Sequence, residues 1–154
     1  MGVGKTTVCQ FMKQKLNSSV FLDGDWCWDM HPFCITEETK AMVVDNICHL
    51  LNNFLHCTVY ENIIFCWVMH QQSIIEAICS KLDLIDTVCF SVSLICTEER
   101  LRERLHKDIH AGIRSMDVIE RSAARVPFYE KLDTIKIDVT NITAEQAAER
   151  IMDL

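Results

Sequence analysis

Met1-Gly2-Val3-Gly4-Lys5-Thr6-Thr7 opens the chain, and its reading decides the rest. Gly4, Lys5 and Thr6 fill the last three fixed positions of the phosphate-binding pattern G-x-x-x-x-G-K-[ST]. The first glycine of that pattern would fall before Met1. The residue types follow from the chemistry. Glycines let backbone N–H groups close around phosphate oxygens without a Cβ in the way. A lysine reaches the β- and γ-phosphates, and a threonine hydroxyl ligates Mg²⁺. Gly2, Val3, Gly4, Lys5, Thr6 and Thr7 are therefore the candidate nucleotide contacts, with Lys5 also catalytic and Thr6 also a metal ligand. The bland alternative is an N-terminus that merely contains Gly-Lys-Thr.

The context outside the loop favours the phosphate reading. Val8 to Leu16 has the apolar spacing of an amphipathic helix, whose N-terminus would point its dipole at the phosphates. Val20-Phe21-Leu22 then reads as a short buried strand that ends on Asp23-Gly24-Asp25. In a parallel α/β sheet, ligands collect at the carboxyl ends of strands, so both acids stand where a site is expected. The competing reading is a solvated Asp-Gly turn.

Further along, Thr36 caps a long helix with Glu37 and Glu38 in its first turn. Asn62 to Met69 is an almost continuous apolar run, the pattern of a strand buried on both faces. Ser73 and Glu76 have capping-box spacing before the next helix. Thr87 to Ile95 is read as the third strand, followed by a helix capped by Thr97. Lys107 to Gly112 breaks the pattern. A helix from Met116 to Ala124 is interrupted at Pro127, Thr134 to Val139 alternates as a fourth strand, and Thr143 with Gln146 caps the last helix. Strands alternating with helices imply βαβ units and a parallel sheet covered on both faces, in one domain spanning 1–154.

Gly2 to Thr7, Leu22-Asp23-Gly24-Asp25-Trp26 and a late arginine-rich segment together resemble the P-loop kinases of small molecules and nucleotides, an AAA-type ATPase and nucleotide-kinase-like group. The resemblance implies a three-layer α/β/α P-loop NTPase fold with a parallel sheet. It also implies a central first strand immediately before the loop. That strand is missing from this chain, and Met1 is read as an internal residue of a longer G-x-M-G-V-G-K-T loop. Without the strand, its neighbours would carry unpaired backbone groups, each costing about 1–3 kcal/mol if buried.

The same resemblance assigns roles. ATP and Mg²⁺ are the implied cofactors and a small-molecule acceptor, possibly a nucleoside or nucleotide, the implied partner. Asp23 would help hold hydrated Mg²⁺, and Asp25 would contact or deprotonate the acceptor hydroxyl. Arg104 and Arg114 would close from a lid at about 105–115, and Arg125 would sit nearer the nucleotide base. Glu98 with Arg102 and Glu103 with Lys107 have the spacing of a salt-bridged solvated helix face, which competes with function for several of these basic residues. Trp26, Trp28, His31 and Phe33 are read as acceptor-pocket aromatics or as core. His70 or Gln71 touches substrate or simply enters a helix. Asn141-Ile142-Thr143 borders the adenine or serves as a cap. The alternative to a kinase is a truncated or non-catalytic ATP-binding protein.

Bulk composition narrows the classes. A hydrophobic content of 49% in 154 residues suits one globular core. The net charge of −7 argues against a non-specific nucleic-acid binder. Nine cysteines with no C-x-x-C pair read as reduced thiols of a cytoplasmic protein rather than a disulfide scaffold or zinc site. No apolar run approaches the ~20 residues of a membrane span, and no signal peptide is read.

Overall fold

Gly4, in the left-handed conformation at φ 102°, turns the chain into α1 (Lys5–Lys15). From there the elements run β1 (Ser19–Asp23), α2 (Glu37–Leu55), β2 (Asn62–Cys66), α3 (Gln72–Cys79), β3 (Val92–Ile95), α4 (Glu98–His110), α5 (Val118–Ala123), α6 (Val126–Glu130), β4 (Ile135–Asp138) and α7 (Ala144–Met152). The computed structural model describes residues 1–113 and 115–154. All strand pairing is parallel: β1 pairs β2 with Asp23 opposite Cys66, and β3 pairs β4 with Ile95 opposite Asp138. Among the described residues no backbone pairing joins one pair to the other.

Alternation along the strands builds the layers. Phe21, Ile64 and Cys66 face α1 through Cys9, whereas Leu22, Ile63 and Phe65 face α2 and α3 through Val43, Ile47, Leu51 and Ile78. On the other pair, Val92, Leu94, Ile137 and Val139 pack with Val8 of α1 and Ala147 and Ala148 of α7. Met12 belongs to both packings, so α1 lies across the two strand pairs and holds them in one body. The ammonium of Lys15 ties α1 to α7 through Glu145 at 2.9 Å and Glu149 at 2.7 Å. Leu101 and Leu105 of α4 pack with Val118 and Ile119 of α5. Helices on both faces of parallel strands make this the expected α/β/α fold.

Local chemistry sets most helix starts as read. Thr36 and Thr39 form a reciprocal capping box, as do Thr143 and Gln146, and the Thr97 hydroxyl accepts from the Arg100 amide. Ser73 does not cap α3; the helix begins at Gln72 after Gln71, earlier than the Ser73–Glu76 spacing suggests. The third strand is much shorter than Thr87–Ile95. Only 92–95 find a partner, and Val88 (79% exposed) and Phe90 (52%) lie in solvent. β2 likewise ends at Cys66, because β1 has no residue left to pair beyond Asp23. α4 continues to His110, so the break in pattern falls at Ala111-Gly112, where Gly112 has φ 70°. Pro127 opens α6 rather than interrupting a helix, since a first-turn position needs no N–H.

Candidate functional site: a phosphate loop and a carboxylate turn

Gly2 and Gly4 both have positive φ, 79° and 102°. A Cβ on Gly2 would lie 2.5 Å from Leu105 Cδ2, so the loop is pressed onto α4. A Cβ on Gly4 would meet nothing within 4 Å, so there the loop faces open space. Arg104 fixes the loop from the other side. Its guanidinium donates to the carbonyl oxygens of Val3 at 3.1 Å and Val139 at 2.6 Å. The ammonium of Lys5 makes no hydrogen bond or ion pair with a described residue.

The carboxylate turn meets this loop directly. Thr6 Oγ1 donates to Asp23 Oδ2 at 2.7 Å, joining the first turn of α1 to the end of β1. Asp23 is only 6% exposed, and its second oxygen accepts the Asp25 amide at 3.1 Å. That bond caps a 3-10 turn over Gly24–Trp28 and leaves Asp25 exposed beside its buried neighbour. Gly24 is required there: a Cβ would lie 2.6 Å from the Trp67 ring. Thr6 and Asp23 offer only hydroxyl and carboxylate oxygens, the hard donors that suit Mg²⁺ with most of its water shell retained. Both residues, and the open side of Gly4, therefore fit the Mg-nucleotide that the sequence pattern implies.

Beside the loop, a cleft of about 240 Å³ is lined by Val3, Gly4, Thr7, Val139, Ile142 and Ala147, among others. It is chiefly apolar, and Asp25 is not part of its lining. The Asn141-Ile142-Thr143 segment thus does two jobs: Ile142 walls the cleft, and Thr143 caps α7.

A family model described as an AAA domain matches residues 1–125. The chain belongs to the AAA domain family. No curated protein matches this AAA-domain chain. Among solved structures it is similar to the tunicamycin resistance protein of Deinococcus radiodurans, at 15% identity and a TM-score of 0.69, over 96% of this chain and 88% of that one. It is also similar to a sugar kinase of a Janibacter species, at 16% identity and a TM-score of 0.67, over 99% and 87% of the two chains. At such identities these two likenesses bear on the fold, and they agree with the P-loop kinase-like architecture read from residues 2–7.

The AAA-domain fold gathers some of the expected residues and separates others. Gly2 to Thr7, Asp23 and Asp25 lie at one edge. Arg104 reaches the loop, but as a scaffold for two carbonyls rather than from a lid. Arg114 lies outside the described residues. Arg125 does not line the cleft; its charge acts on His70 and on Tyr129. Burial and the Arg125 charge together hold the His70 imidazole below its ordinary range. Trp28 packs in the core and meets Phe33 at 6.0 Å, while Trp26 sits edge-on to Phe21 at 5.4 Å and is half exposed. Glu98–Arg102 forms the expected ion pair at 2.8 Å, with Glu120 as a second partner; Arg100, not Lys107, takes Glu103. The part played by Trp67 under Gly24 is invisible in the sequence, because it depends on the β1–β2 register.

Cys9 of α1 and Cys66 of β2 are buried free thiols in hydrogen-bond contact, which pushes the Cys66 thiol up and Cys9 down. Cys34 and Cys89, by contrast, are exposed thiols. Among the described residues no helix is long and apolar enough to cross a membrane.

Proposed function

We propose that this protein is an ATP-dependent phosphotransferase acting on a hydroxyl of a small molecule. The observation that carries the reading is the 2.7 Å contact between Thr6 and Asp23 at the mouth of a doubly left-handed glycine loop. It joins the two residues that a Mg-nucleotide needs, from segments 17 positions apart. Backbone amides of Gly2 to Thr7 and the unpaired Lys5 ammonium hold the phosphates, and the N-terminus of α1 adds its dipole. Thr6 and Asp23 hold Mg²⁺, which when bound offsets charge on the phosphate oxygens. The apolar cleft along Val3, Val139 and Ile142 takes the nucleoside end.

Asp25 is fixed at its amide by Asp23 but free at its carboxylate. It orients the acceptor hydroxyl and takes its proton. Trp26, the next residue, and Phe33 are both more than half exposed and supply apolar surface for the acceptor. Arg104 acts by positioning: it holds the Val3 carbonyl away from the phosphates and keeps the neighbouring amides turned inward. Arg114 remains the lid arginine of this reading, with Gly112 as the pivot. One of the two structural neighbours is a sugar kinase, which agrees in kind with the proposal.

A second reading, nucleotide binding without transfer, draws on one observation. Among the described residues no strand joins β2 to β3, so the loop is braced by side chains, Arg104 and Leu105 of α4 among them, and not by a strand between those two. Acceptor-dependent ADP release separates the two. The assay pairs Mg-ATP with a panel of sugars, nucleosides and their phosphates. Release that rises with one acceptor class and disappears in Asp25→Asn supports transfer. Mg-ATP stabilisation with no acceptor-dependent release in any class supports the binder.

A further inference from the structure

Arg125 differs from the other arginines of α4 to α6. Arg100 pairs with Glu103, Arg102 with Glu98 and Glu120, and Arg121 with Asp117, while Arg104 spends its guanidinium on two carbonyls. The Arg125 guanidinium makes no hydrogen bond or ion pair with a described residue, although the residue is half-buried. A half-buried guanidinium without a counter-ion is costly unless a ligand completes it.

Its surroundings are specific. His70 feels its charge and packs on Phe128, whose amide donates to the Arg125 carbonyl at 3.1 Å; His70 Nδ1 is shut away from solvent and bonded to nothing described. The imidazole stands 6.2 Å from the Phe128 ring at 56°. The position is defined by the sheet. Asp23 and Cys66 are register partners at the ends of β1 and β2, and Trp67 packs on Gly24. His70 therefore leaves β2 at the edge from which Asp25 leaves β1. The nucleoside cleft shares none of these residues.

We infer that Arg125, with His70 and Phe128, is the arm of the acceptor site that recognises an oxyanion, so that the acceptor carries a carboxylate or phosphate as well as its hydroxyl. The guanidinium fork matches two oxygens of such a group. The imidazole adds one hydrogen bond, and the Phe128 ring closes the site on its apolar side. Burial and the Arg125 charge keep His70 neutral near pH 7, so the arm carries one positive charge. The word acceptor rests on the phosphotransferase reading; oxyanion binding at Arg125 does not.

The test is binding to the full chain, by calorimetry and melting temperature, with matched probes: glucose, gluconate and glucose 6-phosphate, then uridine and uridine monophosphate. Mg-ATP is measured separately. At least one anionic probe is expected to bind at least about tenfold tighter than its neutral counterpart. Arg125→Gln abolishes that preference, and Arg125→Lys restores it only in part, because a point charge lacks the fork. His70→Gln weakens it less. All three variants keep the wild-type Mg-ATP shift and far-UV spectrum. A carboxylate or a phosphate preference identifies the oxyanion. The inference is overturned if no anionic probe outbinds its neutral partner, or if Arg125→Gln leaves the preference intact. It is also overturned if Arg125→Gln removes the Mg-ATP shift, which returns Arg125 to the nucleotide. An Arg125-dependent anion preference in a protein that Mg-ATP does not stabilise would sink the phosphotransferase reading and leave the oxyanion arm standing.

Discussion

The Lys5 ammonium makes no hydrogen bond or ion pair with a described residue, and in the proposed reaction it holds the phosphates, which makes it the cleanest single probe. Lys5→Met is expected to lower ADP release about 100-fold or more, as removal of a preorganised transition-state donor does. The melting temperature without nucleotide should stay near the wild-type value, because the ammonium makes no hydrogen bond or ion pair with a described residue. A large drop in that temperature would show that Lys5 supports the fold instead. The two loop glycines separate strain from sterics. Gly4→Ala meets open space and is expected to cost only the left-handed penalty, about 1–2 kcal/mol in chemical denaturation. Gly2→Ala has the same penalty and also drives a methyl against Leu105, so its denaturation midpoint should fall further. Equal costs would mean that the loop does not press on α4. His70 gives a pH signature. Its pKa is depressed in the folded state from an ordinary value of 6.5. The unfolded chain therefore binds the extra proton first. The contribution to stability is full above 6.5 and is lost as pH falls below it towards the folded value. The wild-type denaturation midpoint should decline more steeply than that of His70→Gln between about pH 7 and pH 5. Parallel curves would remove the buried-imidazole assignment.

At the scale of elements, caps are local events and were legible. Thr36, Thr97 and Thr143 each stand where an oxygen-bearing side chain precedes a helical pattern, and each caps. Thr36→Ala removes the hydroxyl arm of its box, leaving the Thr36 amide on Thr39, and is expected to cost about 1 kcal/mol in a denaturant titration. A change below a few tenths would mean that α2 is held by Val43 and Ile47 alone. Strand lengths were not legible in the same way. The run from Thr87 to Phe90 is as apolar as the paired residues after it, but a strand extends only as far as its neighbour does. β4 offers partners from Ile135 onward, so Val88 and Phe90 remain unpaired and exposed. Ser73 failed as a cap for a related reason: the chain leaves β2 at Cys66 and has already entered helical conformation at Gln72.

At the scale of the molecule, α1 is the joint between two parallel pairs. Each strand of a parallel ladder directs alternate amides to opposite sides, so β2 and β3 each use only half of theirs on β1 and β4. Alternate amides of 62–66 and 92–95 are therefore expected to exchange with deuterium much faster than their neighbours, read residue by residue by NMR. Uniform protection along both strands would mean that their inner edges are paired in solution. The same joint explains why Met12 touches both packings, and why the loop preceding α1 is placed by helix packing as much as by the strands.

The sequence by itself determined the alternating α/β order, the parallel direction, the three threonine caps and the P-loop kinase-like family. Each of these depends on neighbours within a few residues, or on a pattern whose chemistry is the same in any setting. Tertiary structure decided the matters of register and packing: that Asp23 is buried and bonded to Thr6 while Asp25 is free, and that Trp67 makes Gly24 obligatory. It also decided that Arg104 braces the loop and that the Arg125 charge acts on His70. In the sequence these arginines are equivalent members of one basic stretch. Only the packing of α4 and α5 against the sheet ends distinguishes them, because the partner of a long charged side chain is set by what lies across space and not by its place in the chain.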